Sequence, residues 1–176
     1  EMAIPNPGVL LNTSPAAVTL RINDAGQVIA TLYIAQSGQS HKTDVAQMIA
    51  DGLGIDINDV NVVFEDDVLR SSYDAEPGGS RQTPMLDMVV GEAIKRLKEK
   101  LIKLAALVLP WDTQHLVYEN GVVKATNHPE KKITLKELAF IANWQTFKAP
   151  SEDVGLEVHV VLNSPSTPPD EQRRFY

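Results

Sequence analysis

The chain has 176 residues, a formal net charge of −7 and no cysteine. That length suffices for one domain with its own core, and the missing thiols rule out disulfides, thiolate nucleophiles and cysteine-held zinc or iron–sulfur clusters within this chain. The acidic balance disfavours duplex nucleic acid, whose affinity comes mostly from Lys and Arg on phosphates.

Residues 1–16 contain Pro and Asn and lack a period, so they read as an N-terminal arm that could pair at a sheet edge. Ala17 to Ile22 alternates, with Val18, Leu20 and Ile22 inward, and predicts a half-buried strand. Asn23-Asp24-Ala25-Gly26 is a turn, and Gln27 to Ala35 is the return strand of a hairpin. A helix is predicted from His41 to Leu53, with Val45, Met48, Ile49 and Leu53 on one stripe and Gly54 ending it. Val60 to Phe64 is a strand, and residues 65–82 form a long loop.

A second helix is expected from Pro84 to Leu109, broken or tilted near Gly91, with Met88, Ile94, Leu97, Leu101, Leu104, Leu107 and Val108 as its core stripe. Its charged face, with Glu92–Arg96 and Glu99–Lys103 at i,i+4 spacing, reads as solvated. Leu116 to Lys124 is a hairpin around Asn120-Gly121. Thr134 to Glu137 fits a capping box that starts a short helix to Asn143, and Val154 to Leu162 alternates as a last strand. Residues 163–176 read as a C-terminal connector. The sum is an α+β domain over 17–162, in two layers: a mixed sheet with hairpins, and two main helices on one face.

Two polar turns stand at helix starts. Ser37-Gly38-Gln39-Ser40-His41-Lys42-Thr43 follows a strand and opens the first helix; Gly78-Gly79-Ser80-Arg81-Gln82-Thr83 opens the second. A helix start leaves backbone N–H groups without acceptors, and such a place suits an anion. Gly38 lets the backbone come close, Gln39, Ser40, His41 and Thr43 add donors, and Arg81 beside Ser80 supplies a charged fork suited to phosphate. Either turn alone reads as an ordinary cap; the pair points to one phosphate-bearing ligand gripped from two sides. His41 reads either as a capping or packing residue or as a ligand contact.

Other residues carry less. His115, His128 and His159 have no metal-ligand spacing, so no metal site is expected. Glu65-Asp66-Asp67 lacks the ligand alternation of a calcium loop and reads as a solvated acidic segment. No Ser-His-Asp spacing or nucleophile elbow is present, and no catalytic residue is assigned. Trp111 and Trp144 follow helices and are expected to pack.

The order of these segments resembles the molybdenum-binding large subunit of the xanthine dehydrogenase, aldehyde oxidase and carbon monoxide dehydrogenase family. Gly38-Gln39-Ser40-His41-Lys42-Thr43, followed by the Ala46-Gln47-Met48-Ile49-Ala50 helix and Leu53-Gly54, looks like that family's Gly-Gln-Gly-x-x-Thr turn and its helix. Val60 to Phe64 looks like the next strand, Asp66-Asp67 like its Gly-Asp, Tyr73 like a loop tyrosine, and Gly79-Ser80-Arg81 like its Gly-Ser-Arg turn. The likeness covers roughly residues 17–162.

What the resemblance implies is one domain of a molybdenum hydroxylase, an oxidoreductase that inserts water oxygen into a C–H bond of an aldehyde or N-heterocycle, or oxidises carbon monoxide. The implied cofactor is molybdopterin with molybdenum, in the cytosine dinucleotide form that such enzymes often use, with no FAD or iron–sulfur cluster in this chain. The implied cofactor-binding residues are Gln39, Ser40, His41 and Thr43 on one turn and Gly79, Ser80 and Arg81 on the other. The implied partners are the remainder of the molybdenum-binding subunit and iron–sulfur and flavin subunits or domains.

Ser40 stands where the family usually has Gly, and Val68 where Thr is usual. The Gly-x-Gly-Glu segment that carries the family's catalytic glutamate does not occur here. The chain starts on Glu1 rather than Met, has no secretory leader and no apolar run near the ~18 residues of a membrane span. The expectation is a cytoplasmic piece, excised or naturally split, that is inactive alone. The other reading is a cofactor-free scaffold or interaction domain that kept the fold and lost the site.

Overall fold

A computed structural model of the chain describes residues 15–34, 38–65, 82–109, 113–148 and 155–163. The main sheet has four strands: β1 (Pro15–Ile22), β2 (Val28–Leu32), β3 (Val60–Phe64) and β7 (Glu157–Asn163), in the order β3-β2-β1-β7. It is mixed. The strands β1 and β2 form the hairpin that the Asn23–Gly26 turn predicts, and β7 lies antiparallel on the other side of β1. The pair β2–β3 is parallel, in register from Val28↔Val60 to Leu32↔Phe64.

Parallel neighbours need a crossover, and helix α1 (His41–Leu53) provides it. After β3 the chain enters helix α2 (Gln82–Val108). The interior forms where Val18, Leu20, Ile22, Val28, Ala30 and Leu32 of the sheet meet Val45, Ile49 and Leu53 of α1 and Leu86, Val89, Leu97 and Leu101 of α2. A second, three-stranded antiparallel sheet, β4 (Leu116–Glu119), β5 (Val122–Ala125) and β6 (His128–Thr134), precedes helix α3 (Leu135–Trp144). The fold is α+β, as its mixture of hairpins and helices implies.

Several expectations need correction. Helix α2 is continuous through Gly91 and starts two residues before Pro84, so the break does not occur. A mid-helix Gly costs about 0.5–1 kcal/mol against Ala, and the buried residues on both sides of Gly91, Val89, Val90, Ala93 and Ile94, outweigh that. Pro84 is accommodated because the first turn has no intrahelical N–H bond to lose. Leu107 is exposed rather than in the core stripe.

Strand β1 begins at Pro15, inside the stretch read as an arm. Strand β6 escaped notice because its sequence, His-Pro-Glu-Lys-Lys-Ile-Thr, is nearly all charged or polar. Trp144 does not pack: it is 65% exposed, and its Nε1 donates to Asp24 Oδ2 at 3.1 Å. Trp111 lies outside the described residues.

The capping box at α3 is complete. Thr134 Oγ1 accepts from the Glu137 N–H, and Glu137 Oε2 accepts from the Thr134 N–H at 2.8 Å. At the other end of α1, Gly54 adopts φ 62°, and the Ile55 N–H reaches back to the Ala50 carbonyl at 3.0 Å. The small sheet docks on this helix end: the Gly121 N–H donates to Leu53 O at 3.0 Å, and Tyr118 Oη donates to the same oxygen at 2.9 Å.

Burial pushes the Tyr118 phenol up from 10.0 to about 12. A folded value above the unfolded one means that Tyr118 supports the fold fully below pH 10.0, and that this support is lost as pH rises towards about 12. Tyr118→Phe is expected to cost about 1 kcal/mol at neutral pH, since Leu53 O keeps its bond from Gly121. Urea midpoints for the two proteins should converge above pH 10.0. A gap that stays constant would sever Tyr118 from the alkaline decline.

Candidate cofactor-binding site

The topology decides where a ligand could sit. Strands β2 and β3 are parallel neighbours that end level, at Leu32 and Phe64. The segment after Leu32 leads to the start of α1, and the segment after Phe64 leads to the start of α2. In open α/β arrangements, ligands bind beyond the carboxyl ends of parallel strands, where helices begin. Both polar turns singled out in the sequence belong to these two segments.

The helices confirm the geometry. His41, the first residue of α1, meets Gln82, the first residue of α2: His41 Nε2 and Gln82 Oε1 are 2.9 Å apart and buried. Near the far end of α1, Gly52 lies against Ile94, where an added Cβ would come within 2.7 Å of Ile94 Cδ1. Start meets start and end meets later turn, so the two helices run side by side in the same direction. Their positive dipole ends therefore point the same way, into one region. No acidic residue occupies the first turn of α2, and Asp44 is the one acid in the first turn of α1.

The first turn itself is unusual. Gly38 has φ +89°, and a Cβ there would meet none of the described residues within 4 Å, so the backbone faces open space among them. Ser40, although not a glycine, takes the left-handed conformation at φ 62°, and its hydroxyl makes no capping bond. That conformation is the natural reason for a glycine at the matching family position. The Ser40 carbonyl accepts from the N–H groups of Thr43 (2.9 Å) and Asp44 (3.2 Å), which leaves the amides of His41 and Lys42 ahead of the first intrahelical bond. The Lys42 ammonium sits 5.5 Å above the Phe64 ring, at the end of β3.

His41 is 3% exposed and Gln82 7%. Each is half satisfied: His41 Nδ1 and Gln82 Nε2 are buried without a hydrogen-bond partner among the described residues, and Asp44 Oδ2 is 3.9 Å from Nδ1. Buried polar atoms are nearly always paired. Two orphans at the junction of two helix starts, beside open space at Gly38, fit a bound polar group that completes them.

Of the predicted site residues, Gln39, Ser40, His41 and Thr43 thus lie at the start of α1, on the side where α2 also begins. Gly79, Ser80 and Arg81 lie outside the described residues, as do Asp66, Asp67, Val68 and Tyr73. The sequence reading places Gln82 within the second polar turn and gives it no role of its own. The signal for it was position alone: a polar residue directly after Gly-Ser-Arg and at the head of a helix. A separate polar group joins Thr19 of β1 to Tyr33, just after β2 (3.0 Å), and to His159 of β7 (2.8 Å). Among the described residues, no group of three His, Asp or Glu is placed to hold a metal ion. No helix among them is long and apolar enough to cross a membrane.

Comparison with known proteins shows the family. The model of the molybdopterin cofactor-binding domain matches residues 2–174. The chain is 32% identical over 140 residues to the carbon monoxide dehydrogenase large chain of Afipia carboxidovorans, a match that covers 78% of this chain and 17% of that one. It is 27% identical over 140 residues to the nicotine 6-hydroxylase large subunit of Paenarthrobacter nicotinovorans, covering 79% and 17%. Among solved structures, a Cu,Mo-CO dehydrogenase in its carbon monoxide reduced state superposes with a TM-score of 0.76 at 30% identity, over 86% of this chain and 19% of that chain. The chain thus spans less than a fifth of the length of these relatives.

Proposed function

Because the chain belongs to the molybdopterin cofactor-binding domain family, we propose that it clasps the molybdenum cofactor between its two helix starts, as part of a hydroxylase large subunit. The observation that carries this reading is the bond between His41 and Gln82, which ties together the heads of two helices running in the same direction. Two helix starts aligned in this way attract a phosphate-bearing group.

Each residue has a role in this reading. Gly38 admits the cofactor to the backbone. The amides of His41 and Lys42 and the side chains of Gln39, Ser40 and Thr43 donate from one turn. Gly79, Ser80 and Arg81 hold the phosphates from the other, with the Arg81 guanidinium giving a paired, charge-assisted contact. The bound molybdenum supplies the oxidation chemistry. This domain supplies grip and orientation, and the catalytic group comes from elsewhere in the subunit.

We assign the cytosine dinucleotide form to the pterin, and place FAD and iron–sulfur clusters on other subunits or domains. The partners are then the remainder of the molybdenum-binding subunit and the electron-carrying subunits, in the cytoplasm.

The test uses the full assembly. Gln39→Ala and Arg81→Ala are each expected to lower molybdenum and pterin content and activity, by about tenfold to a hundredfold for a lost charge-assisted contact of about 1.5–3 kcal/mol at Arg81 and less for Gln39. If both variants keep wild-type cofactor content and rate, the site assignment is wrong, and the domain is a scaffold that retains the fold alone.

A further inference from the structure

We infer that Gln82 is itself a residue of the cofactor site, holding His41 with one end of its amide and reserving the other for the bound group. The inference rests on the reading that the two helix starts form that site, and goes beyond it by adding a residue to which neither turn assigned a binding role.

The geometry narrows what Gln82 does. It is 7% exposed and cannot be a solvent-facing cap. Its Oε1 lies 2.9 Å from His41 Nε2. A ring N–H donates to that oxygen, and the Gln82 amide group is then a donor with no acceptor among the described residues. Reversing the amide alters the labels and not the conclusion: Gln82 would donate to His41 and present an unpaired acceptor. In either arrangement one polar atom of a buried side chain is unmatched, and so is the far nitrogen of its partner, His41 Nδ1.

A purely structural polar bridge would not be built this way. Leaving a buried donor or acceptor unpaired carries its full desolvation cost, and an apolar pair of similar shape avoids it. Two half-satisfied residues, one from each helix start, make sense when a third party completes both. The pairing also couples the turns: His41 and Gln82 are 41 residues apart in sequence, and their bond keeps the head of α1 against the head of α2. Gln82 therefore contributes to the grip directly and positions His41 for the same task.

The experiment compares Gln82→Leu and Gln82→Glu in the full-length subunit within its complex, beside Arg81→Ala. Molybdenum and pterin are quantified per subunit, and melting temperatures are taken for cofactor-loaded enzyme and for enzyme expressed in cells unable to make the pterin. Gln82→Glu keeps an acceptor for His41 and replaces the free amide with an anionic oxygen, which a phosphate-bearing group rejects.

Both Gln82 variants are expected to lose cofactor at least fivefold. The cofactor-free Gln82→Leu protein is expected to melt lower, because buried His41 Nε2 loses its partner, whereas cofactor-free Gln82→Glu, which keeps an acceptor for it, is expected to melt no lower than the unaltered protein. Full loading in Gln82→Glu, with loss in Arg81→Ala, would overturn the role of Gln82 and leave the site intact. A fall in the melting temperature of the cofactor-free Gln82→Glu protein, matching its loss of cofactor, would reduce Gln82 to a structural brace. Unaltered loading in all three variants would overturn the site as well.

Discussion

Gly54→Val is expected to destabilise the domain by about 3 kcal/mol or more, from a left-handed backbone that costs a β-branched residue 1–2 kcal/mol and from overpacking that costs 1–3 kcal/mol. The first effect follows from φ 62° at Gly54. The second follows from its neighbours: a Cβ would lie 2.5 Å from Asn120 Cα and 3.1 Å from Asn120 N. These are backbone atoms of the β4–β5 turn and cannot rotate away. The turn is also anchored on the same helix end through the Gly121 N–H and Tyr118 Oη bonds to Leu53 O, and the Gly121 carbonyl accepts from Leu135 N at 2.8 Å. Displacing Asn120 therefore strains the docking of the small sheet and the entry to α3 together. Urea denaturation should show the loss, with Gly54→Asn intermediate because Asn tolerates the backbone and not the contact. A cost below 1 kcal/mol for the valine variant would mean that the hairpin tip is not held against α1.

Gly54 illustrates what the chain disclosed before its structure. Local signals were legible: the alternation of Val18, Leu20 and Ile22, the helical stripe of Val45, Ile49 and Leu53, the terminating glycine and the Thr134–Glu137 box all act within a few residues of one another, and each reappears in place. Features set by distant partners were not. Strand β6 exists because β5 offers it a ladder, with Val123↔Ile133 as its apolar pair, and its own charged sequence gives no period. Leu107 continues the helical stripe of α2 yet stands in solvent, because a stripe records which face is apolar and not how far its covering layer extends.

The site divides along the same line. Two glycine-containing turns before two helices were visible as motifs. That their helices run in the same direction was not, since it depends on β2 and β3 being parallel neighbours. The His41–Gln82 bond was invisible for a further reason. A glutamine beside Thr and Pro at a helix head looks like an ordinary polar cap, and only burial reveals it as half of a two-helix clasp. Ser40 also withheld its conformation: serine is seldom left-handed, and only the glycine of the resembling family pointed to the backbone it adopts.

The largest functional effect at a described residue is expected at Gly38, if the cofactor approaches the backbone there. Gly38→Val and Gly38→Asn separate the two reasons for a glycine. The φ of +89° strains valine by about 1–2 kcal/mol and asparagine by less. Among the described residues, nothing lies within 4 Å of the added Cβ. Both variants should therefore fold, with a modest drop in melting temperature for valine. Both would also fill the space the bound group needs, so molybdenum and pterin content in the full assembly should fall about tenfold or more in each. The asparagine result decides the matter. If Gly38→Asn loads fully while Gly38→Val does not, the glycine serves only the turn, and the open space beside it holds no ligand. Loss in both places the bound group against the Gly38 backbone, next to the heads of α1 and α2.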